Sequence, residues 1–342
     1  MTRVVTFGEI MLRLSPPGFE RFLQSPQFVA TFGGGEANVA VSLAHLGFDS
    51  TYVTALPKNA IGDAAVHALR AEGVRTERIV RSGSRVGVYF TEAGASQRAS
   101  TVIYDRARSS ISEMPPDAVD WDAVLAGADW FHVTGITPAL GANGIEGTRR
   151  AIAAAGRAGA RVSVDLNYRK KLWTEARARE TMRPMMRGVD VVIANEEDLQ
   201  SVLGVHVPDT DVTSGQLNLE GFRQAAEEVS RDFGASLVAI TLRESLSASD
   251  NGWSAVLWDA KAKTLIESQR YDVRLVDRIG GGDSFAAGLI YGLASGRPAA
   301  DALRFAVAAS ALKQTIPGDF NRVSVEEVDR LVSGDGSGRV QR

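Results

Sequence analysis

The chain of 342 residues contains no cysteine. That removes disulfides, thiolate metal sites and a cysteine nucleophile, and it accords with a reducing compartment. Histidine is scarce: His45, His67, His132 and His206 are the only four, and they lack metal-ligand spacing. His45 and His67 fall on predicted helices and His132 in a predicted core strand, so we assign them structural roles. There is no large excess of either charge. The formal net charge is −3, which gives no basic surface for nucleic acid or for an acidic membrane. No apolar run reaches the ~18 residues of a membrane span. No basic-then-apolar segment precedes the strand-like run Val4–Phe7, and we expect a cytoplasmic protein. Two nucleotide signatures are also missing. The dinucleotide fingerprint needs a third glycine where Phe285 and Asn38 stand, and there is no G-x-x-x-x-G-K-[ST] loop. The catalytic-loop signature of protein kinases is missing as well.

What is present is an ordinary globular composition, 44% hydrophobic and 23% charged, with strand–helix alternation along most of its length. Strands are predicted at Val4–Phe7, Thr51–Leu56, Trp130–Val133, Arg161–Asp165, Val189–Ala194, Leu237–Leu242, Ser254–Trp258 and Val273–Val276. The helices between them, near Val39–Leu46, Gly62–Gly73, Gly144–Gly156, Glu175–Met186, Glu220–Phe233, Ala299–Gln314 and Val325–Leu331, predict a mainly parallel sheet covered on both faces. The alternation breaks twice. Residues 10–32 read as short strands and turns, and Val86–Phe90 with Ser100–Tyr104 reads as a hairpin around a polar turn. We expect these to form a small β lid (10–32 and 86–106) on an α/β core (1–9, 33–85 and 107–332). Asp209–Asn218 is a polar loop, and the glycine-rich tail 333–342 is expected to be mobile.

The segment Asp277–Gly296 organises the chain. Gly280, Gly281 and Gly282 precede Asp283 and an amphipathic helix with Phe285, Leu289 and Leu293 on one face and Gly296 at its end. Helix-start N–H groups lack internal partners, and glycines let an anion approach them. The stretch therefore reads as a phosphate cradle with a carboxylate at its rim. Two roles are open for Asp283: a helix cap, or a base that takes a proton from an attacking hydroxyl.

Ligands of open α/β sheets gather beyond the carboxyl ends of the strands. Asp165, Asn167 and Arg169 stand there, as do Asn195–Asp198 and Thr241, Arg243 and Glu244. Asn195–Asp198 suits a Mg²⁺ held through waters and phosphate, or simply begins a helix. Arg106 and Arg169 could grip a carboxylate, which would favour an acidic sugar. Arg106 could equally be a surface charge, as we take Arg108 to be, and Tyr89 and Tyr104 could be hairpin packing.

Asp277–Phe285 resembles the C-terminal signature of the ribokinase (PfkB) carbohydrate kinase family. Gly33–Ala40 resembles its N-terminal G-G-x-x-x-N-x-A signature, and Asn195–Asp198 its magnesium motif. Phe7–Leu14, Tyr104–Ala107, Asp165–Arg169, Thr241–Ser245 and Thr315–Phe320 are most similar to the members that phosphorylate 2-keto-3-deoxygluconate. The resemblance implies a ribokinase-like three-layer fold with a β lid, ATP as donor, Mg²⁺, and a homodimer formed through the lids. It implies Asp283 as base and the glycines of 280–282 as anion hole. Gly34, Asn38, Tyr89, Tyr104, Arg106 and Arg169 would face the sugar acid. Asn195, Thr241 and Arg243 would face the nucleotide, with Asn195 and Asp198 toward Mg²⁺ and Asp277 toward a monovalent cation such as K⁺. The chain departs from the family pattern in four places: Gly281 for alanine, Arg278 for threonine, Asp198 for glutamate, and the pair Arg243-Glu244 where glycine is common. The rival readings are a family member acting on fructose, ribose or a nucleoside, and a non-catalytic sugar-acid sensor. The missing fingerprints disfavour a dehydrogenase.

Overall fold

The protein is described from a computed structural model covering residues 1–207 and 218–336. Most of the polar loop predicted at Asp209–Asn218 and the end of the tail lie outside these residues.

Among the described residues, fifteen strands form three sheets. In chain order they are β1 Arg3–Phe7, β2 Met11–Ser15, β3 Val29–Gly33, β4 Asp49–Val53, β5 Ala55–Leu56, β6 Val80–Arg81, β7 Gly87–Glu92, β8 Thr101–Asp105, β9 Trp130–Thr134, β10 Arg161–Asp165, β11 Val191–Ala194, β12 Leu237–Ser245, β13 Asp250–Asp259, β14 Thr264–Glu267 and β15 Tyr271–Arg274. The main sheet runs β14-β13-β12-β11-β10-β9-β1-β4, with β15 also on β13. From β12 to β4 every pairing is parallel; β13, β14 and β15 add antiparallel ladders at one end.

The inner strands are buried on both faces, and their side chains divide by the period of two that a strand imposes. Val192 and Ala194, Val238 and Ile240 enter one core with Phe131, Ala151, Met182 and Phe222. Val191 and Ile193, Leu237 and Ala239 enter the other with Val39, Leu43, Phe285, Leu289 and Leu303. This is a three-layer arrangement, with helices Ala142–Ala158, Glu175–Met185 and Leu219–Phe233 on one face and Gly35–His45, Gly281–Ala294 and Ala299–Lys313 on the other. No helix of the described residues is long and apolar enough to cross a membrane.

A second sheet, β3-β2-β7-β8, stands apart, and its strands fall in the two segments that broke the alternation. The predicted hairpin is β7–β8, with Tyr89 opposite Tyr104. The single strand expected over Thr51–Leu56 is instead two: β4 pairs with β1, and β5 pairs with β6 in a third sheet. The apolar run is continuous there, so pattern alone does not show the break. β6, β14 and the short helices Trp121–Leu125 and Ile136–Ala139 lie where no element was predicted, each being short enough for side-chain periodicity to carry little signal.

Chain order reverses between β1 and β9, since β1 leads outward to β4 while β9 leads to β10 and β11. Crevices open at such a point, beyond the carboxyl ends of the strands.

Candidate active site

A cleft of about 600 Å³ lies there. Tyr89, Val102, Tyr104 and Arg106 of the small sheet line one side. Asp165, Asn167 and Arg169 after β10, Asn195–Asp198 after β11, and Thr241 and Arg243 of β12 line others, with Gly280, Gly282 and Asp283 at the start of the helix Gly281–Ala294. The cleft thus collects Gly34, Asn38, Tyr89, Tyr104, Arg106, Arg169, Asn195, Asp198, Thr241, Arg243, Gly280, Gly282 and Asp283. Gly281 and Asp277 are not among its lining residues.

The glycine turn has a specific geometry. Gly280 caps the helix in the left-handed region at φ 84°, and a Cβ there would collide with the carbonyl oxygen of Asp319. Only glycine satisfies both conditions. Ser284 N–H makes the first helical bond, to the Gly280 carbonyl (2.9 Å), and Gly281 N–H turns back onto the carbonyl of Arg278 (3.3 Å). The first-turn N–H groups of Gly282 and Asp283 are left as the donors without an intrahelical acceptor. Gly281 instead packs its α-carbon toward Gln314, where a Cβ would come within 3.2 Å of Cγ, so this position serves the turn's shape.

Asp283 is not the helix cap. Gly280 holds that position without any side-chain bond, and the Asp283 carboxylate faces away, its Oδ2 accepting from Asn38 Nδ2 at 2.7 Å. Asn38 in turn accepts the Gly34 N–H on Oδ1 (3.2 Å), so the helix Gly35–His45 fixes the carboxylate's orientation. Burial pushes the Asp283 carboxyl up to about 6, against the opposing pull of the Asn38 bond.

Two more carboxyls share this floor. Asp165 is raised well above the ordinary carboxylate range by burial, with Asp198 and Asp283 adding to the shift. Asp198 is raised to about 6, again chiefly by burial. Arg169 draws all three downward, and it makes no ion pair among the described residues; its Nη1 donates only to the Tyr168 carbonyl (3.0 Å). Arg106 is different. Its Nε donates to Glu9 Oε2 at 2.7 Å and its Nη2 bonds the same oxygen, both residues being buried. Arg106 therefore enters the cleft with its charge largely met by Glu9, a partner that sequence spacing did not suggest. Tyr89 stacks on Tyr104 with ring centroids 5.9 Å apart, and its hydroxyl donates to Asp319 Oδ2 at 2.6 Å. Its hydroxyl is thus engaged within the protein.

Asn195–Asp198 does begin a helical turn, with a reciprocal capping box. Asn195 Oδ1 accepts Asp198 N–H (2.7 Å), and Asp198 Oδ2 accepts Asn195 N–H (3.4 Å), while Asp198 Oδ1 accepts Tyr168 N–H (2.8 Å). The helix-start role is thus filled, and the same residues line the cleft. Among the described residues no group of three or more His, Asp or Glu is arranged as a metal cage. The oxygen donors here suit a Mg²⁺ that arrives with phosphate and keeps its waters.

The sequence profile of the pfkB family carbohydrate kinases matches residues 1–321. The chain belongs to that family. Among solved structures, 2-dehydro-3-deoxygluconokinase from Thermotoga maritima superposes with a TM-score of 0.94 at 50% identity, covering 98% of this chain and 100% of that one. A 2-dehydro-3-deoxygalactonokinase from Haloferax volcanii is 33% identical over 98% of both chains. A 2-dehydro-3-deoxygluconokinase from Bacillus subtilis is 28% identical over 94% of this chain and 93% of its own. The pfkB fold is thus the ribokinase-like α/β architecture expected from the sequence. Residues that sequence reasoning did not single out for the site are Glu9, Arg13 and Asp319, all buried and all acting through partners distant in the chain.

Proposed function

We propose that this protein transfers the γ-phosphoryl group of ATP to the terminal hydroxyl of 2-keto-3-deoxygluconate, giving 2-keto-3-deoxy-6-phosphogluconate and ADP. The observation that carries this reading is one cleft holding Asp283, the open N–H groups of Gly282 and Asp283, and Arg169, a cation without a carboxylate partner among the described residues. The 50% identity to a kinase named for this substrate supports the same choice.

In this mechanism the substrate hydroxyl oxygen attacks phosphorus, its proton passes to Asp283, and the bond to the β-phosphate oxygen breaks. The first-turn N–H groups and the helix dipole stabilise charge on the transferring oxygens. Arg169 receives the sugar carboxylate; Arg106, held by Glu9, supplies shape and a residual donor beside it. Thr241 and Arg243 take the nucleotide side. Arg278, which also lines the cleft, adds positive charge near the phosphates. Asn195 and Asp198 would hold Mg²⁺ on this side, where it would supply positive charge to neutralise the phosphates.

The small sheet acts as a lid (residues 10–32 and 86–106) that excludes water during transfer. Its outer side exposes Phe19, Leu23, Phe28, Val29 and Ile103, an apolar surface that a second copy's lid would cover in a homodimer. ATP as donor supports a cytoplasmic reaction.

The relative named for the galactonate-derived acid makes that epimer the second reading. A panel of both 2-keto-3-deoxy acids, fructose and ribose, with ATP and Mg²⁺, tests these readings through kcat/KM. The proposal expects the two acids to exceed the neutral sugars by about 10- to 100-fold, the worth of one lost charged contact. Equal values for fructose or ribose would refute it, and the ratio between the acids ranks the epimers.

A further inference from the structure

Beneath the glycine turn lies a buried cation with no role in binding sugar or nucleotide. Lys313, the last residue of the helix Ala299–Lys313, has no exposed surface. Its Nζ donates to two main-chain oxygens, those of Asp277 (3.1 Å) and Ile316 (3.3 Å). These carbonyls belong to the two segments that frame the anion hole: 277–280 leads into the turn, and 316–319 ends in the oxygen that Gly280 packs against. A Cβ on Gly280 would come within 3.1 Å of Lys313 Cε, so the lysine stem lies directly under the turn.

Burying an ammonium is costly unless its donors are met and its charge balanced. Here the charge is balanced at a distance by Asp277, Asp319 and Asp283, while the donors meet carbonyl dipoles. A compact, fully buried unit charge facing main-chain oxygens is the environment a bound monovalent cation would otherwise occupy.

The resemblance in sequence implied such a cation at Asp277, and the residues do not fit one. Asp277 Oδ2 accepts from Arg13 Nη2 (2.7 Å) and Gly318 N–H (3.0 Å), its Oδ1 from Ile279 N–H (3.1 Å), and its carbonyl from Lys313. Every oxygen that Asp277 could offer is already used by a donor of the chain itself.

We propose that Lys313 is a built-in monovalent cation: a positioning residue that holds the segments 277–280 and 316–319 in the anion-binding conformation, so that neither the fold nor turnover requires added K⁺. Its effect on turnover rests on the phosphoryl-transfer reading above, whereas its effect on the fold does not.

The experiment compares the wild-type protein, Lys313→Ala and Lys313→Met in chloride salts of K⁺, NH₄⁺ and tetramethylammonium at matched ionic strength. Two quantities are read, the thermal midpoint without substrates and kcat with ATP and the sugar acid. For the wild type, both should be equal across the three salts, with kcat agreeing within about twofold. In Lys313→Ala, kcat should fall about 100-fold, the usual cost of a misplaced catalytic group. K⁺ or NH₄⁺, but not tetramethylammonium, should then restore part of kcat and raise the thermal midpoint. Lys313→Met fills the same space and should stay slow in every salt. A wild type activated or stabilised several-fold more by K⁺ than by tetramethylammonium overturns the proposal. So does a folded Lys313→Ala that no small cation restores. Should Lys313→Ala fail to fold, the wild-type comparison alone decides. The thermal arm stands even if the sugar acid proves not to be the substrate.

Discussion

Asn38 and Asp283, 245 residues apart in the chain, are joined by a single 2.7 Å hydrogen bond from the amide to the carboxylate. That bond aims the carboxylate into the cleft and favours its ionised form. Replacing Asp283 by Asn or Ala should lower kcat by about 100- to 10,000-fold, the range for a lost general base. Binding of ATP and sugar acid, measured by calorimetry, should remain within a few-fold. Near-normal turnover in either variant would remove Asp283 from the mechanism.

The same carboxyl sets an acid limb. A base must be unprotonated to accept a proton, and burial lifts Asp283 to about 6. The value of kcat/KM should therefore be flat above that pH and fall tenfold for each unit below it. Asn38→Ala removes the contact that holds the carboxyl down, so the limb should move to higher pH. A limb that stays in place, or moves down, would contradict this coupling.

Arg106 and Arg169 should fail in opposite ways. Arg169 is not tied to a carboxylate, so Arg169→Ala should raise the KM for the sugar acid by about 10- to 100-fold with little change in thermal midpoint, the cost of a charged hydrogen bond. Arg106→Ala strands the buried Glu9 carboxylate and should destabilise the fold by about 3–5 kcal/mol, measured by denaturant unfolding. Arg106→Ala together with Glu9→Gln should recover much of that loss.

Gly280→Ala combines a left-handed backbone with a collision against the Asp319 carbonyl. It should cost more than about 1 kcal/mol of stability. It should also lower kcat more than the sugar KM, because the displaced group is the anion hole. An unchanged kcat would show that the turn tolerates a Cβ.

Magnesium removal should separate folding from chemistry. Since the described residues hold no preformed metal cage, EDTA should abolish turnover while leaving the thermal midpoint of the ligand-free protein unchanged. A fall in that midpoint would point to a resident metal.

Much of this architecture was legible in the sequence because it is local. The glycine turn, Asn38 in the first helix and the polar residues after β10, β11 and β12 are each written in a few adjacent positions. What escaped were pairings across long separations. Arg13 bonds Asp319 across 306 positions and Arg106 bonds Glu9 across 97, and no periodicity relates such residues. Asp283 illustrates the limit of local reading: a carboxylate at a helix start reads equally as a cap until its partner is seen. The division of Thr51–Leu56 between two sheets escaped for a related reason, since a buried strand and a strand that changes partners have the same apolar run.

The strand order bears on how the protein is made. β1 is made before every other strand of the main sheet yet lies inside it, between β4 and β9. Val39 and Leu43 of the first long helix pack with Phe285, Leu289 and Leu303, which are synthesised some 240 or more positions later. Until then an apolar surface near the amino terminus stays uncovered, an invitation to chaperones during synthesis. The same delay has a second side. Asn38 has no carboxylate to hold until Asp283 has been made, so in the proposed mechanism a nascent chain that stops short of Asp283 lacks the base and cannot transfer phosphate.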